Sequence, residues 1–137
     1  MRVFRSVLAV VVGFVAASVV MMVVEALNGR VLYPELGRMA QGMTDREAIR
    51  NLMAGAPAGA FVVVIVGWVL GSLTGGYVTA RMAPVSSDRR ALVLGLLLTL
   101  AGVANNLMMP PPAWFWIASL IVLLPATLAG ARLAPRR

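Results

Sequence analysis

Four long apolar runs constrain the fold of this chain more than any other feature of its sequence. They cover residues 4–27, 57–82, 91–109 and 113–133. Each approaches or exceeds the roughly 20 residues that cross a hydrocarbon core of about 30 Å. Because lipid offers no partner to open backbone groups, each run is predicted to be an α-helix. The predicted fold class is an all-α membrane protein, a four-transmembrane-helix bundle forming a single domain over residues 1–137.

The composition agrees with a membrane class and excludes several kinds of site. Hydrophobic residues make up 61% of the 137 residues, and the mean hydropathy is +0.90, well above the values of soluble domains. The chain contains no Cys and no His, which removes disulfides, thiolate metal sites and the usual general base near neutral pH. No nucleophile–base pair or phosphate-binding loop is visible. We therefore predict no enzymatic activity, no cofactor and no metal site.

The positive charges are all arginines, and their distribution predicts an orientation. Eight of the twelve lie at the two termini and in the second loop, whereas four lie in the first loop and none in the third. The positive-inside rule then places both termini in the cytoplasm of a multi-pass inner (plasma) membrane protein. The arginines flank apolar runs and form no basic face interleaved with aromatic residues, so nucleic acid is not an expected partner.

Glycines recur along the second run at helical spacing. Gly55, Gly59, Gly67, Gly71 and Gly75 fall on one predicted stripe. Glycine stripes let two helix backbones approach closely in lipid. The second helix is therefore predicted to be the central packing helix, with contact inside the chain favoured over contact with a second copy. Each of the other runs carries a weaker stripe of small residues, namely Ala9, Gly13 and Ala17; Ala91, Gly95 and Thr99; and Ala126, Gly130 and Ala134.

Polar residues near one end of the apolar runs form a candidate site. Glu25 is the one acid inside an apolar run, about 30 Å of helix from the arginine at position 5, which places it near the outer interface. Asn105 and Asn106 reach a similar depth on the third helix, and Asn28 follows Glu25 by three residues. A carboxylate and amides at this depth suit a cation, a proton or a polar ligand. Alternatively, Glu25 reaches headgroups or pairs with Arg30, and the asparagines bond helix to helix.

Residues 28–56 form the predicted outer loop, which carries its own helix signal. The segment Thr44–Glu47 has the pattern of a capping box, in which Thr44 caps the backbone and Glu47 reaches back. It predicts a short amphipathic helix at about 45–54, on the membrane surface or over the mouth of the bundle. A lid, a docking site and a simple closing loop all remain open.

The third loop consists of three prolines, residues 110–112, which cannot continue a helix and predict a tight turn. Trp114, Phe115 and Trp116 follow directly. Aromatic residues at a helix end are typical of the membrane interface, so these three are predicted to be interface anchors.

The two halves of the chain share short similarities. Residues 79–84 (TARMAP) resemble residues 130–135 (GARLAP), and both segments close an even-numbered apolar run. Asn28 and Asn105 each precede a proline by six residues. The pattern indicates a parallel duplication of a helical hairpin.

Two motifs resemble a known pattern. GWxxGSxxGGYxxAR from Gly67 to Arg81, followed by PxWFW from Pro112 to Trp116, is similar to the pattern of small four-helix bacterial membrane proteins without an assigned function. The resemblance implies a bacterial inner-membrane protein and no activity.

Two functions follow from these observations. The first is a non-catalytic integral membrane protein that packs with or regulates other membrane components. The alternative is a small dimeric transporter or channel that uses the polar cluster in the outer leaflet. The expected partners are the lipid bilayer and either a second copy or another membrane protein.

Overall fold

The computed structural model describes residues 2–83 and 87–135, and over these ranges the chain is all-helical. Four helices are long and apolar enough to cross a membrane, which confirms the predicted helical class. The elements are α1 (Arg2–Leu27), a π-helical segment (Asn28–Leu32), α2 (Pro34–Ala40), α3 (Arg46–Gly55), α4 (Ala58–Met82), α5 (Ser87–Met108) and α6 (Ala113–Leu133). The end of the bundle at which the π-helical segment, α2, α3 and residues 109–112 lie is called the loop end below.

The segment between the first two long helices is mostly helical, which the sequence did not predict beyond α3. A π-helical segment extends α1 from Asn28 to Leu32, and the Tyr33 backbone N–H closes it on the Asn28 carbonyl at 2.7 Å. Pro34 then begins α2, because proline lacks the N–H that a first helical turn leaves unpaired. The long helix α5 begins at Ser87, before the predicted 91, since its first turn is polar and carries Asp88.

The predicted cap of α3 is wrong by one residue. The helix begins at Arg46, so Asp45 and not Thr44 is the N-cap residue. The Glu47 backbone N–H donates to Asp45 Oδ1 at 3.3 Å. An N-cap side chain must accept from the second or third helical N–H, and Asp45 stands in that position.

The helix α4 lies at the centre of the bundle, with α1 on one face and α6 on another, while α5 packs on α6. A Cβ at Gly71 would lie 2.8 Å from the Ala17 carbonyl oxygen of α1, and one at Gly75 would lie 2.8 Å from that of Gly13. Gly67 faces an α1 side chain at the same distance. Three glycines of the predicted stripe therefore contact α1 within the chain.

The rest of the predicted stripe does not pack in this way. A Cβ at Gly59 would overlap the Tyr33 hydroxyl, so Gly59 contacts the segment before α2 and not a long helix. Gly55 belongs to α3, and nothing lies within 4 Å of a Cβ built there. The proline at 57 separates the two helices, and the regular spacing of the glycines in the sequence does not show this break.

A second close contact of α4 involves residues that the stripe did not include. A Cβ at Gly76 would overlap the Thr127 carbonyl oxygen of α6, and one at Gly130 would overlap that of Leu73. Adjacent residues point about 100° apart on a helix. Gly75 and Gly76 therefore let α4 approach α1 and α6 at the same level.

An aromatic cluster fills the core near the loop end. Phe61, Trp68, Phe115 and Leu123 are buried together, and the rings of Trp68 and Phe115 meet edge to face at 5.7 Å. The prediction that Phe115 is an interface anchor is therefore wrong. Three consecutive residues at a helix start point in three directions, and the middle one faces the core, while Trp114 is 43% exposed.

Candidate functional site

The four predicted polar residues lie together. Glu25, Asn28, Asn105 and Asn106 all line one cavity of about 220 Å³ at the loop end, called the polar cavity below. Glu25 and Asn28 come from the end of α1 and the π-helical segment, and the two other asparagines from the last turn of α5. Apolar groups of α2, α3, α4 and α6 complete the wall, namely Leu36, Met53, Ala60, Phe61, Val64 and Phe115.

Asn28 is fixed by its amide group and keeps an unused oxygen. Its Nδ2 donates to the Ala60 carbonyl of α4 at 3.1 Å. The side chain is buried, and Asn28 Oδ1 has no hydrogen-bond partner. The hydrogen bond ties the π-helical segment to α4, and an acceptor is left at the cavity wall.

Asn106 repeats this arrangement from α5. Its Nδ2 donates to Ser119 Oγ of α6 at 3.2 Å, and Ser119 Oγ donates to the Trp116 carbonyl at 3.4 Å. Asn106 is fully buried, and its Oδ1 has no partner. A buried polar atom without a partner costs about 1–3 kcal/mol. Two such oxygens on one cavity are a strong reason to look for a ligand that supplies positive charge or hydrogen-bond donors.

Glu25 contributes the only carboxylate among the residues that line this cavity. Its Oε1 accepts a long hydrogen bond, 3.5 Å, from Nε1 of the buried Trp68 on α4. A buried indole N–H needs an acceptor, so Trp68 directs the carboxylate across the bundle. Its hydrogen-bond partner is thus a core residue and not Arg30, as the alternative interpretation expected.

A second cavity adjoins the first, farther from the loop end. It has a volume of about 260 Å³ and lies between α1, α4, α5 and α6, with Ser18, Met21, Trp68 and Leu98 in its wall. Glu25 and Asn105 line both cavities. Beyond it, the contacts of Gly71 with Ala17 and of Gly75 with Gly13 bring the α1 and α4 backbones together. The polar space therefore extends from the loop end into the bundle and stops at the glycine contacts.

The donor set is a matter of charge balance. One carboxylate and neutral amide oxygens line the polar cavity, and such oxygens are the ligands of hard cations. A single positive charge would neutralise Glu25, whereas a divalent ion would leave a costly excess charge among apolar groups. Among residues 2–83 and 87–135, no group of three His, Cys, Asp or Glu is placed to hold a metal ion. The site is therefore suited to a monovalent cation.

Sequence reasoning missed the partners that orient the site. Trp68 lies in the middle of an apolar run and Ser119 in the fourth run, and each was covered by a general interpretation. The only available signal was the hydrogen-bonding group that each residue carries inside an apolar helix. No protein-family model matches this chain, and searches of curated proteins and of solved structures found no match.

Proposed function

We propose that this chain is a small integral membrane protein that binds one monovalent cation, an alkali ion or a protonated amine, in the polar cavity. The observation that carries the proposal is the pair of buried, unpartnered oxygens Asn28 Oδ1 and Asn106 Oδ1 on the cavity that Glu25 also lines. A cation coordinated there would satisfy both oxygens and neutralise the carboxylate at once. The protein itself is proposed to be non-catalytic.

The membrane setting is part of the proposal. Four helices of sufficient length and apolarity support a multi-pass bundle. Large apolar side chains on the outside of α1, α5 and α6, such as Val11, Leu96 and Ile121, are exposed, as residues that face lipid would be. The arginine distribution and the resemblance of the motifs support a bacterial inner membrane with cytoplasmic termini. The loop end then faces outward, and the polar cavity lies in the outer leaflet.

We further propose that this arrangement is one state of a carrier. The polar space is reached from the loop end and ends at the backbone contacts between α1 and α4. Passage of a bound cation would require these contacts to open while the loop end closes. Packing of α1 on α4 and of α5 on α6 fits a duplicated hairpin, and movement of one hairpin against the other would provide such a change.

An accessory role remains the second candidate. The outer face of α1, with Val7, Val11 and Val15, is exposed and is available to a partner helix, a second copy or lipid. The small residues of the bundle, in contrast, are used for contacts inside the chain. Native mass spectrometry of the protein taken gently from its own membrane separates these cases. A stoichiometric foreign subunit would favour the accessory role, and a homodimer would favour the carrier.

Cation binding is tested by thermal unfolding in lipid nanodiscs. NaCl, KCl or methylammonium chloride is compared with N-methyl-D-glucamine chloride at equal ionic strength, since a ligand that binds the folded state raises Tm by mass action. We expect at least one of the three small cations to raise Tm, and Glu25→Gln to abolish the rise. The matched control is Glu47→Gln, which removes an exposed acid of α3 that does not line the polar cavity. Equal responses of the wild type and Glu25→Gln would contradict the proposal.

Transport is tested separately in proteoliposomes with the cation that binds. Uptake that depends on Glu25 supports the carrier. Binding without uptake would leave the site in place and remove the carrier from the account.

A further inference from the structure

A second cavity system at the loop end has the opposite charge. An open groove of about 470 Å³ lies between α3 and the turn that joins α5 to α6, and it is called the arginine groove below. Its lining residues are Arg46, Arg50, Ala54, Asn106, Leu107, Pro110, Pro111, Pro112 and Trp116. The two arginines are the only charged residues among them.

The two arginines share one face of α3. They are four residues apart, and Ala54 continues the same face. Arg46 Nη2 donates to the Leu107 carbonyl at the end of α5 at 3.4 Å, and this contact places the first turn of α3 beside the groove. Like charges at this spacing repel each other. An anion between them would remove the repulsion, and a phosphate group fits the planar donor fork of each guanidinium.

The surroundings of the groove select the source of the phosphate. Leu107 is 53% exposed at the groove, and Ile117 is 66% exposed one residue beyond Trp116. The charged pocket thus continues into the apolar outer surface of α5 and α6. A phospholipid matches both parts, with its phosphate at the arginines and its acyl chains along the helices. A choline headgroup would bring a second positive charge to the arginines, so an anionic headgroup fits better.

We infer that the arginine groove binds the headgroup of an anionic phospholipid in the leaflet at the loop end. This site is separate from cation binding, because Glu25 does not line the groove and the arginines do not line the polar cavity. Asn106 lines both and forms part of the wall between them.

The inference is tested by native mass spectrometry of the detergent-solubilised protein titrated with phosphatidylglycerol or phosphatidylcholine of matched chains. We expect one phosphatidylglycerol to bind in preference to phosphatidylcholine. Arg50→Gln should lower that affinity about fivefold, the effect of one arginine near an anionic lipid surface. Arg38→Gln is the matched control, because Arg38 is an exposed arginine on α2 outside the groove. It should bind like the wild type.

Further arms separate the outcomes. Arg50→Lys keeps the charge without the planar fork and should restore part of the affinity, provided that all variants keep the wild-type Tm. Equal loss in Arg50→Gln and Arg38→Gln would overturn the inference, as would equal binding of the two lipids. Displacement of phosphatidylglycerol by an equimolar amount of inorganic phosphate would also overturn it, since the site would then recognise a free anion and not a lipid.

Discussion

At the scale of single residues, the account depends on two amides that are each half satisfied. Asn28 and Asn106 both donate from Nδ2 to a neighbouring helix, and both keep a buried Oδ1 without a partner. In a site that serves only helix packing, such oxygens are a cost without a return. In a binding site, they are the acceptors that the ligand completes. This difference gives a prediction that separates the two roles.

Asn106→Leu should abolish the rise of Tm with small cations and leave the basal Tm unchanged or higher. An apolar side chain of similar volume removes the unpaired oxygen, while Ser119 keeps its hydrogen bond to the Trp116 carbonyl. Thermal unfolding in nanodiscs, with and without the cation, measures both quantities. A purely structural asparagine would give a lower basal Tm and an unchanged cation response.

At the scale of helices, the close contacts of α4 were predictable in kind but not in detail. The GxxxG spacing indicated a packing face, and Gly67, Gly71 and Gly75 do contact α1. The contact with α6 was missed because Gly76, next to Gly75, adds no further spacing signal. The loop end was missed more widely, since the π-helical segment and α2 depend on contacts with α4. Local sequence patterns do not include such contacts.

The α4–α6 contact predicts a large effect of one methyl group. In Gly130→Ala the new Cβ meets the Leu73 backbone, which cannot yield as a flexible side chain does. Overpacking of this kind costs about 1–3 kcal/mol in the free energy of unfolding. Gly55→Ala is the control, since that position is open and alanine favours the helix. Denaturant titration in mixed micelles compares the two, and equal stability of both variants would contradict the packing.

The N-cap of α3 predicts a local effect. Asp45→Ala removes the acceptor for the Glu47 N–H and should destabilise the helix by about 1 kcal/mol. Hydrogen exchange of the α3 amides should then be about fivefold faster, while exchange in α4 stays unchanged. Thr44→Ala should have no such effect, because Thr44 lies outside the cap. The opposite ranking of the two variants would support the predicted capping box instead.

At the scale of the whole molecule, the bundle divides into two regions with different roles. Toward the N-terminal end of α1, small residues bring α4 against α1 and α6 and leave little space. Toward the loop end, aromatic side chains hold the helices apart around two joined cavities. The sequence predicted the depth at which the four polar residues gather. It did not predict that two of their oxygens stay unpaired, because that depends on which donors the neighbouring helices present.

The measurement that tests the central claim most directly is a structure of the protein crystallised with a thallous salt, because Tl⁺ replaces monovalent cations and scatters anomalously. The account predicts an anomalous peak in the polar cavity, within coordination distance of Asn28 Oδ1, Asn106 Oδ1 and the Glu25 carboxylate, and no such peak in crystals of Glu25→Gln. A cavity that holds only water at saturating Tl⁺, with Asn28 and Asn106 bonded to that water, would contradict the account.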